Sequence, residues 1–393
     1  MQYRLDKRSG NQLSVLGFGC MRLPGTVGRP DIGRTEQLFI RAIEGGVNYF
    51  DTAYLYPGSE EAVGQVLDRH HLRDKIYIAT KLPHTLCHEA ADFDRYFDIQ
   101  KKRLRTDRID YYLIHSVSER QQWRRLCAIG IETWIDSKKA SGEIRRVGFS
   151  FHGARDEFGP LLDAYDWDFS QIQYNYMNTS YQAGTNGLRN AAGRGLPVIV
   201  MEPLLGGKLA TGMPRKAAAL LRENDESFSN AAWALRWIWN QEEPTLVLSG
   251  MNSMEQLEEN LVLAEAAKPG MLTQREIDTL ARAVAAIKET DKVPCTACNY
   301  CMPCPQNINI PACFTAYNAS FSMGRIYGIT AYVTTTGGIS KTPHFASSCV
   351  KCGKCESKCP QHIAIRDSLE DVTRRLEPFP LKPVLSLVSR VLR

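Results

Sequence analysis

The chain has 393 residues, an ordinary globular composition with 44% hydrophobic and 23% charged residues, and a net charge of +5. This length suits one large domain with a small one, and so mild a charge does not favour a nucleic-acid-binding protein. Neither a signal peptide nor an apolar run of the ~18–20 residues that span a bilayer is apparent, so we expect a cytoplasmic protein with reduced thiols.

Short apolar runs alternate with amphipathic stretches through the first part of the chain. The opening YRLDKRSGNQLSVLG predicts a hairpin that closes the bottom of a barrel. The eight predicted strands are VLGFGC, VNYFDTA, IYIATKL, DYYLIHS, RRVGFSF, FSQIQYN, PVIVMEP and TLVLSGM. Strands that alternate with helices in this way over roughly 250 residues indicate an α/β fold, the (β/α)₈ TIM barrel. An open doubly wound sheet is the alternative, but no G-x-G-x-x-G motif follows the first strand.

Polar residues stand at the C-terminal ends of three successive predicted strands, where a TIM barrel carries its chemistry. The second strand ends at Asp51, with Tyr56 five residues further on, the third ends in Lys81 and the fourth in His115. Taken singly, these residues are as well explained by a helix cap, loop packing, a surface lysine and a core histidine. Their joint placement favours a catalytic set.

Four segments closely resemble the aldo-keto reductase family: GGVNYFDTAYLYPGSEEAVGQVL, IYIATKL, IDYYLIHS and RRVGFS. Members of this family are barrels that bind a nicotinamide cofactor in extended form without a Rossmann fold. The resemblance, which covers residues 10–262, implies a catalytic tetrad of Asp51, Tyr56, Lys81 and His115. Tyr56 would donate a proton to a carbonyl, Lys81 would lower the phenol's pKa from ~10, Asp51 would hold Lys81, and His115 would orient the carbonyl.

The same resemblance implies a set of cofactor contacts. The implied residues are Ser150 and Gln171 near the nicotinamide, Gly206, Gly207 and Lys208 at the pyrophosphate, and Glu259 and Asn260 on the adenine side; Asn175 matches less well. No arginine or lysine lies between Ser249 and Leu261, where relatives bind a 2′-phosphate. Because a 2′-phosphate needs charged donors, the sequence favours NADH over NADPH.

Two runs, CTACNYCMPCP (295–305) and CVKCGKCESKCP (349–360), hold eight of the 12 cysteines. Disulfides fit poorly between cysteines so closely spaced, and zinc sites use paired C-x₂-C units separated by a spacer. C-x₂-C-x₂-C-x₃-C-P is the bacterial ferredoxin pattern, which the second run matches fully and the first matches with one residue fewer. The other cysteines, Cys20, Cys87, Cys127 and Cys313, are predicted to be small apolar side chains without a site role.

In two-cluster ferredoxins the cysteine before proline ligates the other cluster. This predicts two [4Fe–4S] clusters, one on Cys295, Cys298, Cys301 and Cys359 and the other on Cys349, Cys352, Cys355 and Cys304, with two zinc knots as the alternative. Residues 290–366 thus resemble a bacterial dicluster ferredoxin with a long insert. The whole layout resembles aldo-keto reductases that carry a C-terminal ferredoxin-like domain.

The predicted division is a barrel at 1–268, a linker helix at 269–293, a dicluster domain at 294–366 and a tail at 367–393. Residues 310–323 are predicted to be helical. The aromatic residues between the cysteine runs are predicted to pack in a core rather than against the barrel mouth: Phe314, Tyr317, Phe321, Tyr327 and Tyr332. The tail LKPVLSLVSRVLR predicts a packed or frayed end, with an amphipathic helix for a membrane or a partner as the alternative.

The sequence therefore predicts an iron–sulfur oxidoreductase that reduces a carbonyl or a related polarised group on a small organic substrate. A nicotinamide gives two electrons as hydride whereas a cluster takes one, so a flavin, in the barrel or on a redox partner protein, is one open means of coupling. Clusters that only hold a lid over the barrel are another. Two rival functions stay open: an electron-transfer protein whose barrel binds flavin or a redox partner, and a binding protein whose clusters sense redox state.

Overall fold

The computed structural model describes residues 1–26, 28–153, 155–289, 291–295, 301–338, 343–359 and 361–391. They form two compact units. The first unit consists of Met1–Gly206 and Ala231–Gln274, and the second consists of Gly207–Asn230 and Arg275–Arg393. The segment that follows the seventh barrel strand therefore folds with the C-terminal part of the chain.

The strands of the described residues confirm the predicted barrel. They are β1 (Tyr3–Leu5), β2 (Gln12–Ser14), β3 (Leu16–Gly19), β4 (Gly25–Thr26), β5 (Arg29–Pro30), β6 (Tyr49–Asp51), β7 (Tyr77–Leu82), β8 (Ile109–Val117), β9 (Ile144–Phe151), β10 (Phe169–Gln173), β11 (Val198–Met201) and β12 (Pro244–Ser249). Eight of them close a barrel in the order β3-β6-β7-β8-β9-β10-β11-β12, and every neighbouring pair is parallel. Short antiparallel pairs join β1 to β2 and β4 to β5.

Helices connect the barrel strands and build the second unit. They are α1 (Ile32–Glu44), α2 (Ser59–Arg69), α3 (Ala91–Leu104), α4 (Arg120–Ala128), α5 (Ile131–Ala140), α6 (Arg155–Leu162), α7 (Gly184–Gly193), α8 (Lys208–Thr211), α9 (Arg215–Asn224), α10 (Asn230–Trp239), α11 (Met254–Glu265), α12 (Gln274–Lys288), α13 (Ile310–Ser322), α14 (Arg325–Thr335), α15 (Ile365–Leu376) and α16 (Leu381–Val391). Short 3₁₀ helices lie at Cys20–Arg22, Arg73–Lys75, His84–Leu86, Ala346–Ser348 and Glu356–Lys358.

Side-chain caps explain several helix starts. The Asp31 carboxylate accepts from Arg34 N at 3.1 Å to begin α1, and Asn309 accepts from Ala312 N at 3.2 Å to begin α13. Each cap satisfies a backbone N–H that the first helical turn leaves unpaired. The prediction of a helix over 310–323 is confirmed by α13.

The β1–β2 hairpin closes the bottom of the barrel, as predicted. Leu13 of β2 packs into the floor cluster of Tyr49, Ala79, Tyr111, Leu113, Phe169, Ile199, Leu246 and Leu248. Tyr111 Oη donates to buried Asp6 Oδ2 at 2.7 Å and accepts from Asn11 Nδ2 at 3.1 Å. The hairpin is therefore fixed to the barrel floor by a buried polar contact as well as by apolar packing.

The second unit has its own apolar core. Phe314, Tyr317 and Tyr332 are buried in it, which confirms core packing for these aromatic residues. Cys313 is fully buried in the same cluster, as expected for an apolar cysteine. None of the helices in the described part of the chain has both the length and the apolarity that a bilayer crossing demands.

Two buried side chains hold the segments that lead into the cysteine runs. Asn318 Oδ1 accepts from the backbone N–H of Lys292 and of Val293, both at 3.0 Å, and its Nδ2 donates to Val293 O at 2.7 Å. Before the second run, Glu377 Oε1 accepts from Tyr332 Oη at 2.5 Å and from Ser347 N at 3.1 Å. These contacts fix the chain just ahead of Cys295 and Cys349.

Candidate functional site

The barrel brings the predicted tetrad together at the carboxyl ends of neighbouring strands. β6, β7 and β8 are adjacent and parallel, with Asp51 paired to Ala79 and Lys81 paired to Leu113. Their carboxyl ends therefore open at the same end of the barrel. Ser59 at the start of α2 anchors the loop that carries Tyr56, since its hydroxyl donates to Cys20 O at 2.8 Å.

Asp51 and Lys81 form a buried ion pair. Lys81 Nζ lies 2.5 Å from Asp51 Oδ1 and donates to Thr52 O at 2.8 Å, and the two side chains are only 1% and 6% exposed. Burial alone would lower the pKa of Lys81, but the Asp51 carboxylate and Tyr56 outweigh burial, so the pKa is raised. Lys81 therefore holds a fixed ammonium at neutral pH.

Gln171 lies against this pair. Its Nε2 donates to Asp51 Oδ2 at 2.9 Å, so both carboxylate oxygens of Asp51 are occupied. The sequence assigned Gln171 to the nicotinamide; the structure places its amide N–H on Asp51. This contact joins residues that are 120 positions apart in the chain.

Tyr56 stands over the ammonium and beside His115. Lys81 Nζ is 5.0 Å from the centroid of the Tyr56 ring, and the His115 ring lies edge-on at 5.7 Å between centroids. Desolvation raises the pKa of Tyr56 more than the nearby Lys81 lowers it. The sequence anticipated the lowering effect of Lys81 correctly, but not the net direction, which is upward because the phenol is largely removed from water.

Two further imidazoles, those of His84 and His152, lie near His115. Desolvation, followed by Lys81 and by neighbouring His152 and His84, holds the pKa of His115 well below its usual value. Burial lowers the pKa of His84 and of His152 to about 4, with Arg125 adding to the effect at His84 and Lys81 at His152. At neutral pH these groups are therefore uncharged hydrogen-bonding side chains.

The sequence did not single out His84 or Arg125 as residues of the site. Arg125 on α4 donates to the backbone carbonyls of His84 and Cys87, both at 2.6 Å, and so fixes the loop after β7. His84 Nε2 is buried without a hydrogen-bond partner in the described residues. The only available signal was the position of His84, two residues beyond the end of β7.

The remaining polar residues at the strand ends shape the backbone. Ser150 is buried, and its hydroxyl accepts from Ser116 N at 2.7 Å. Asn175 Oδ1 accepts from the backbone N–H of Met177 at 3.1 Å and of Asn178 at 3.0 Å. Both side chains thus hold turns beyond the strands.

The loop after β11 has an unusual backbone. Positive φ values occur at Glu202 (54°), Leu205 (48°), Gly206 (66°) and Gly207 (93°). A Cβ on Gly206 would lie 3.2 Å from an Arg22 guanidinium nitrogen. Glycine is therefore favoured at this position both by conformation and by the close approach of a cation. In the second unit, Lys208 Nζ lies 5.9 Å from the ring centroid of Tyr327.

The two predicted adenine-side residues differ in burial: Asn260 is buried, whereas Glu259 is partly exposed. Asn260 donates through Nδ2 to Ser249 Oγ at 3.1 Å, which ties α11 to β12. Glu259 lies on the same helix. Neighbouring Glu258 binds Arg41 of α1 through two contacts of 2.6 and 2.8 Å.

Five cysteines of the second unit line one cavity of about 160 Å³: Cys301, Cys304, Cys349, Cys352 and Cys355. The lining also includes apolar Ile310 and Leu369 and the cationic side chains of Lys354, Lys358 and Arg366. The described members of the other predicted set, Cys295, Cys301 and Cys359, are partly buried against the unit's core. Cys298 lies outside the described residues.

These residues fit an iron–sulfur cluster. Thiols form the cavity wall, and the backbone N–H of Lys351 donates to Cys349 Sγ at 3.4 Å, a contact that stabilises a ligating sulfur. Among the described residues no three thiol, imidazole or carboxylate groups converge as ligands of a single ion do. The four cysteines of a cubane bind four different irons, so its ligands do not need to meet at one point.

A closed parallel barrel and a unit with a thiol-lined cavity define a class of two-part proteins, an α/β barrel joined to a unit that fits an iron–sulfur cluster. The sequence profile of the Aldo/keto reductase family matches residues 15–284, and the chain belongs to that family. A 4Fe-4S dicluster domain profile matches residues 294–364. Both results confirm what the sequence motifs indicated.

Known relatives agree with this assignment. Aldo-keto reductase yakc of Schizosaccharomyces pombe, named for NADP(+), is 22% identical over 294 residues, which cover 65% of this chain and 85% of the relative. The holo form of aldo-keto reductase AKR11C1 from Bacillus halodurans is 25% identical with a TM-score of 0.59, covering 72% of this chain and 96% of that chain. An aldo-keto reductase from Klebsiella pneumoniae, solved with NADPH, has the same fold at 23% identity and a TM-score of 0.58, covering 72% and 95%.

Proposed function

We propose that this protein reduces a carbonyl group on a small organic substrate with NAD(P)H, and that Tyr56 is the general acid. One observation carries the proposal. The ammonium of Lys81, fixed by buried Asp51, lies 5.0 Å from the centroid of the Tyr56 ring. The His115 ring packs edge-on against the Tyr56 ring, with 5.7 Å between the two centroids.

A nicotinamide, when bound, supplies hydride to the carbonyl carbon. Tyr56 gives its phenolic proton to the carbonyl oxygen as negative charge develops there. The raised pKa of Tyr56 keeps that proton in place at neutral pH until the oxygen becomes basic enough to take it. Lys81 then stabilises the phenolate, and neutral His115 orients the carbonyl by a hydrogen bond.

The cofactor proposal draws on the relatives and on the loop after β11. Two of the relatives are named for or solved with NADP(H), which supports a nicotinamide here. Positive φ at Gly206 and Gly207 is the kind of backbone conformation in which N–H groups can turn towards an anion such as a pyrophosphate, and Lys208 follows them in the sequence. Residues 249–261 offer no cationic side chain for a 2′-phosphate, which supports NADH as the preferred donor.

The second unit is proposed to hold two [4Fe–4S] clusters. The cavity supports ligands shared between the two runs, because Cys304 of the first run lines it together with Cys349, Cys352 and Cys355 of the second. Cys301, which belongs to the other predicted set, lines the same cavity. The other set, Cys295, Cys298, Cys301 and Cys359, follows from the spacing of the runs. When bound, such clusters would supply one-electron chemistry with a redox partner protein, and a flavin would be the group able to pair those electrons.

The test begins with anaerobic purification and with iron, sulfide and flavin analysis. Titration with NADH and then NADPH, followed by a panel of aldehydes and ketones, establishes the donor and the reaction. Tyr56→Phe is expected to lower kcat by about 10²–10⁴ while leaving nicotinamide binding unchanged, as loss of a general acid does. Tyr54→Phe is the matched control, since it removes a hydroxyl from the same loop and is expected to keep wild-type turnover. Wild-type kcat in Tyr56→Phe would refute the assignment.

A further inference from the structure

Several residues that line the cysteine cavity are exposed to solvent. Cys352, a member of the cavity wall, is exposed, and neighbouring Val350 is 60% exposed. Lys354 and Lys358, which also line the cavity, are exposed as well. We call Val350, Cys352, Lys354 and Lys358 the lysine face.

Some cations near the lysine face form ion pairs with neighbouring carboxylates, and others do not. Lys351 forms an ion pair with Glu370, and Arg366 binds Glu356 at 2.7 Å, so these cations are neutralised by their own neighbours. In the part of the chain that the structure describes, no carboxylate lies within ion-pair distance of Lys354 or Lys358. The lysine face therefore combines two uncompensated cations with an exposed valine and an exposed cysteine.

We propose that the lysine face docks an acidic one-electron carrier protein, a proposal that rests on the iron–sulfur function of the second unit. Electron transfer requires close approach, and a cluster held by Cys352, an exposed residue, would lie close to this surface. In transient complexes, charge complementarity between the two surfaces sets orientation and association rate. Positive Lys354 and Lys358 select a partner with a negative surface.

The electron balance is simple. One electron leaves the reduced carrier and enters the cluster, so the carrier is oxidised by one electron and the cluster is reduced by one. No bond forms, and no proton moves. Two reduced carrier molecules therefore deliver the same number of electrons as one hydride.

A rival explanation is that the two lysines only offset the negative charge of four thiolates and their cluster. The two explanations predict different measurements. Charge compensation predicts a shift in the cluster's midpoint potential when the lysines are reversed. Docking predicts a change in the rate of reduction by an acidic protein, strongest at low ionic strength.

The experiment uses full-length protein with loaded clusters. The perturbed variant is Lys354→Glu/Lys358→Glu, and its control is Lys7→Glu/Lys268→Glu in the first unit, where both lysines are exposed. Each double variant replaces two positive charges by two negative ones, so each takes the net charge from +5 to +1. Iron and sulfide content and the midpoint potential are measured first. The second-order rate of cluster reduction by a reduced, strongly acidic [2Fe–2S] ferredoxin is then followed by stopped-flow at increasing salt.

The wild type and the control are expected to be reduced quickly and to slow as salt rises. The lysine-face variant is expected to be slower by about 10-fold or more at low ionic strength, with the gap closing near ~1 M salt. If reversal of both charges prevents cluster loading, Lys354→Gln/Lys358→Gln is used and a smaller loss is expected. Equal rates in both double variants, or a rate change explained by a shifted potential, would overturn the docking proposal. A protein without iron and sulfide would instead refute the iron–sulfur function itself.

Discussion

Breaking the Asp51–Lys81 pair offers the sharpest test of how the site is built. Asp51→Asn leaves the Lys81 ammonium buried, and Lys81→Met leaves the Asp51 carboxylate buried, at positions where the paired side chains are 6% and 1% exposed. Removal of one member of such a pair typically costs ~3–5 kcal/mol, because the remaining charge is neither solvated nor neutralised. The double variant Asp51→Asn/Lys81→Met leaves no buried charge, and we expect it to cost only ~1–3 kcal/mol.

The assay is thermal unfolding followed by tryptophan fluorescence. All six tryptophans of the chain lie in the first unit, so the signal reports on the barrel alone. At about 2 °C per kcal/mol for a domain of this size, each single variant should lower Tm by about 6–10 °C. The double variant should lose less than either single variant, which corresponds to a coupling free energy of about 3 kcal/mol or more.

A surface pair in the same unit serves as the control. Arg41 and Glu258 are 37% and 43% exposed, and the corresponding cycle of Arg41→Met and Glu258→Gln should give a coupling of about 0–1 kcal/mol. If the losses of Asp51→Asn and Lys81→Met simply add in their double variant, the two charges do not act as a pair. The account of how Lys81 is held would then be wrong.

Two further measurements follow from the structure. The pKa of His84 is lowered to about 4 by burial. Because the unfolded chain binds the proton at higher pH than the folded one, the free energy of unfolding is unaffected by His84 above pH ~6.5 and decreases as pH falls towards 4, by about 2 kcal/mol at pH 5. His84→Asn should therefore flatten the fall of Tm between pH 7 and 5. An unchanged slope would contradict the burial of His84. Asn318→Ala removes the clamp ahead of Cys295; we expect lower iron and sulfide content with an unchanged tryptophan Tm, whereas full cluster loading would show that the clamp is dispensable.

The barrel and its polar rim could be predicted because both depend on local patterns. Strand-helix alternation fixed the positions of the strand ends, and parallel strands must bring those ends to one side. Asp51, Lys81 and His115 follow from that argument alone. The spacing of the cysteines was equally informative, since cluster ligation constrains sequence directly.

Contacts between distant segments could not be predicted in the same way. The bond from Gln171 to Asp51 depends on the closed barrel, not on either segment. Helix α14 (Arg325–Thr335) was not foreseen, because its sequence is rich in β-branched and aromatic residues that disfavour helix. It packs closely on α13: a Cβ on Gly328 would lie 2.3 Å from Ser320 Cβ, so tertiary packing overrides propensity there.

The electrostatics of the mouth support Tyr56 as the acid independently of any family resemblance. His84, His115 and His152 all have lowered pKa values, so none of them carries an extra proton to give at neutral pH. Lys81 has an ammonium proton, but the contact with Asp51 raises its pKa and makes that proton harder to release. A proton donor also needs a stabilised conjugate base. Tyr56 meets both conditions, because its phenol is protonated at neutral pH and the phenolate it would leave faces a fixed ammonium.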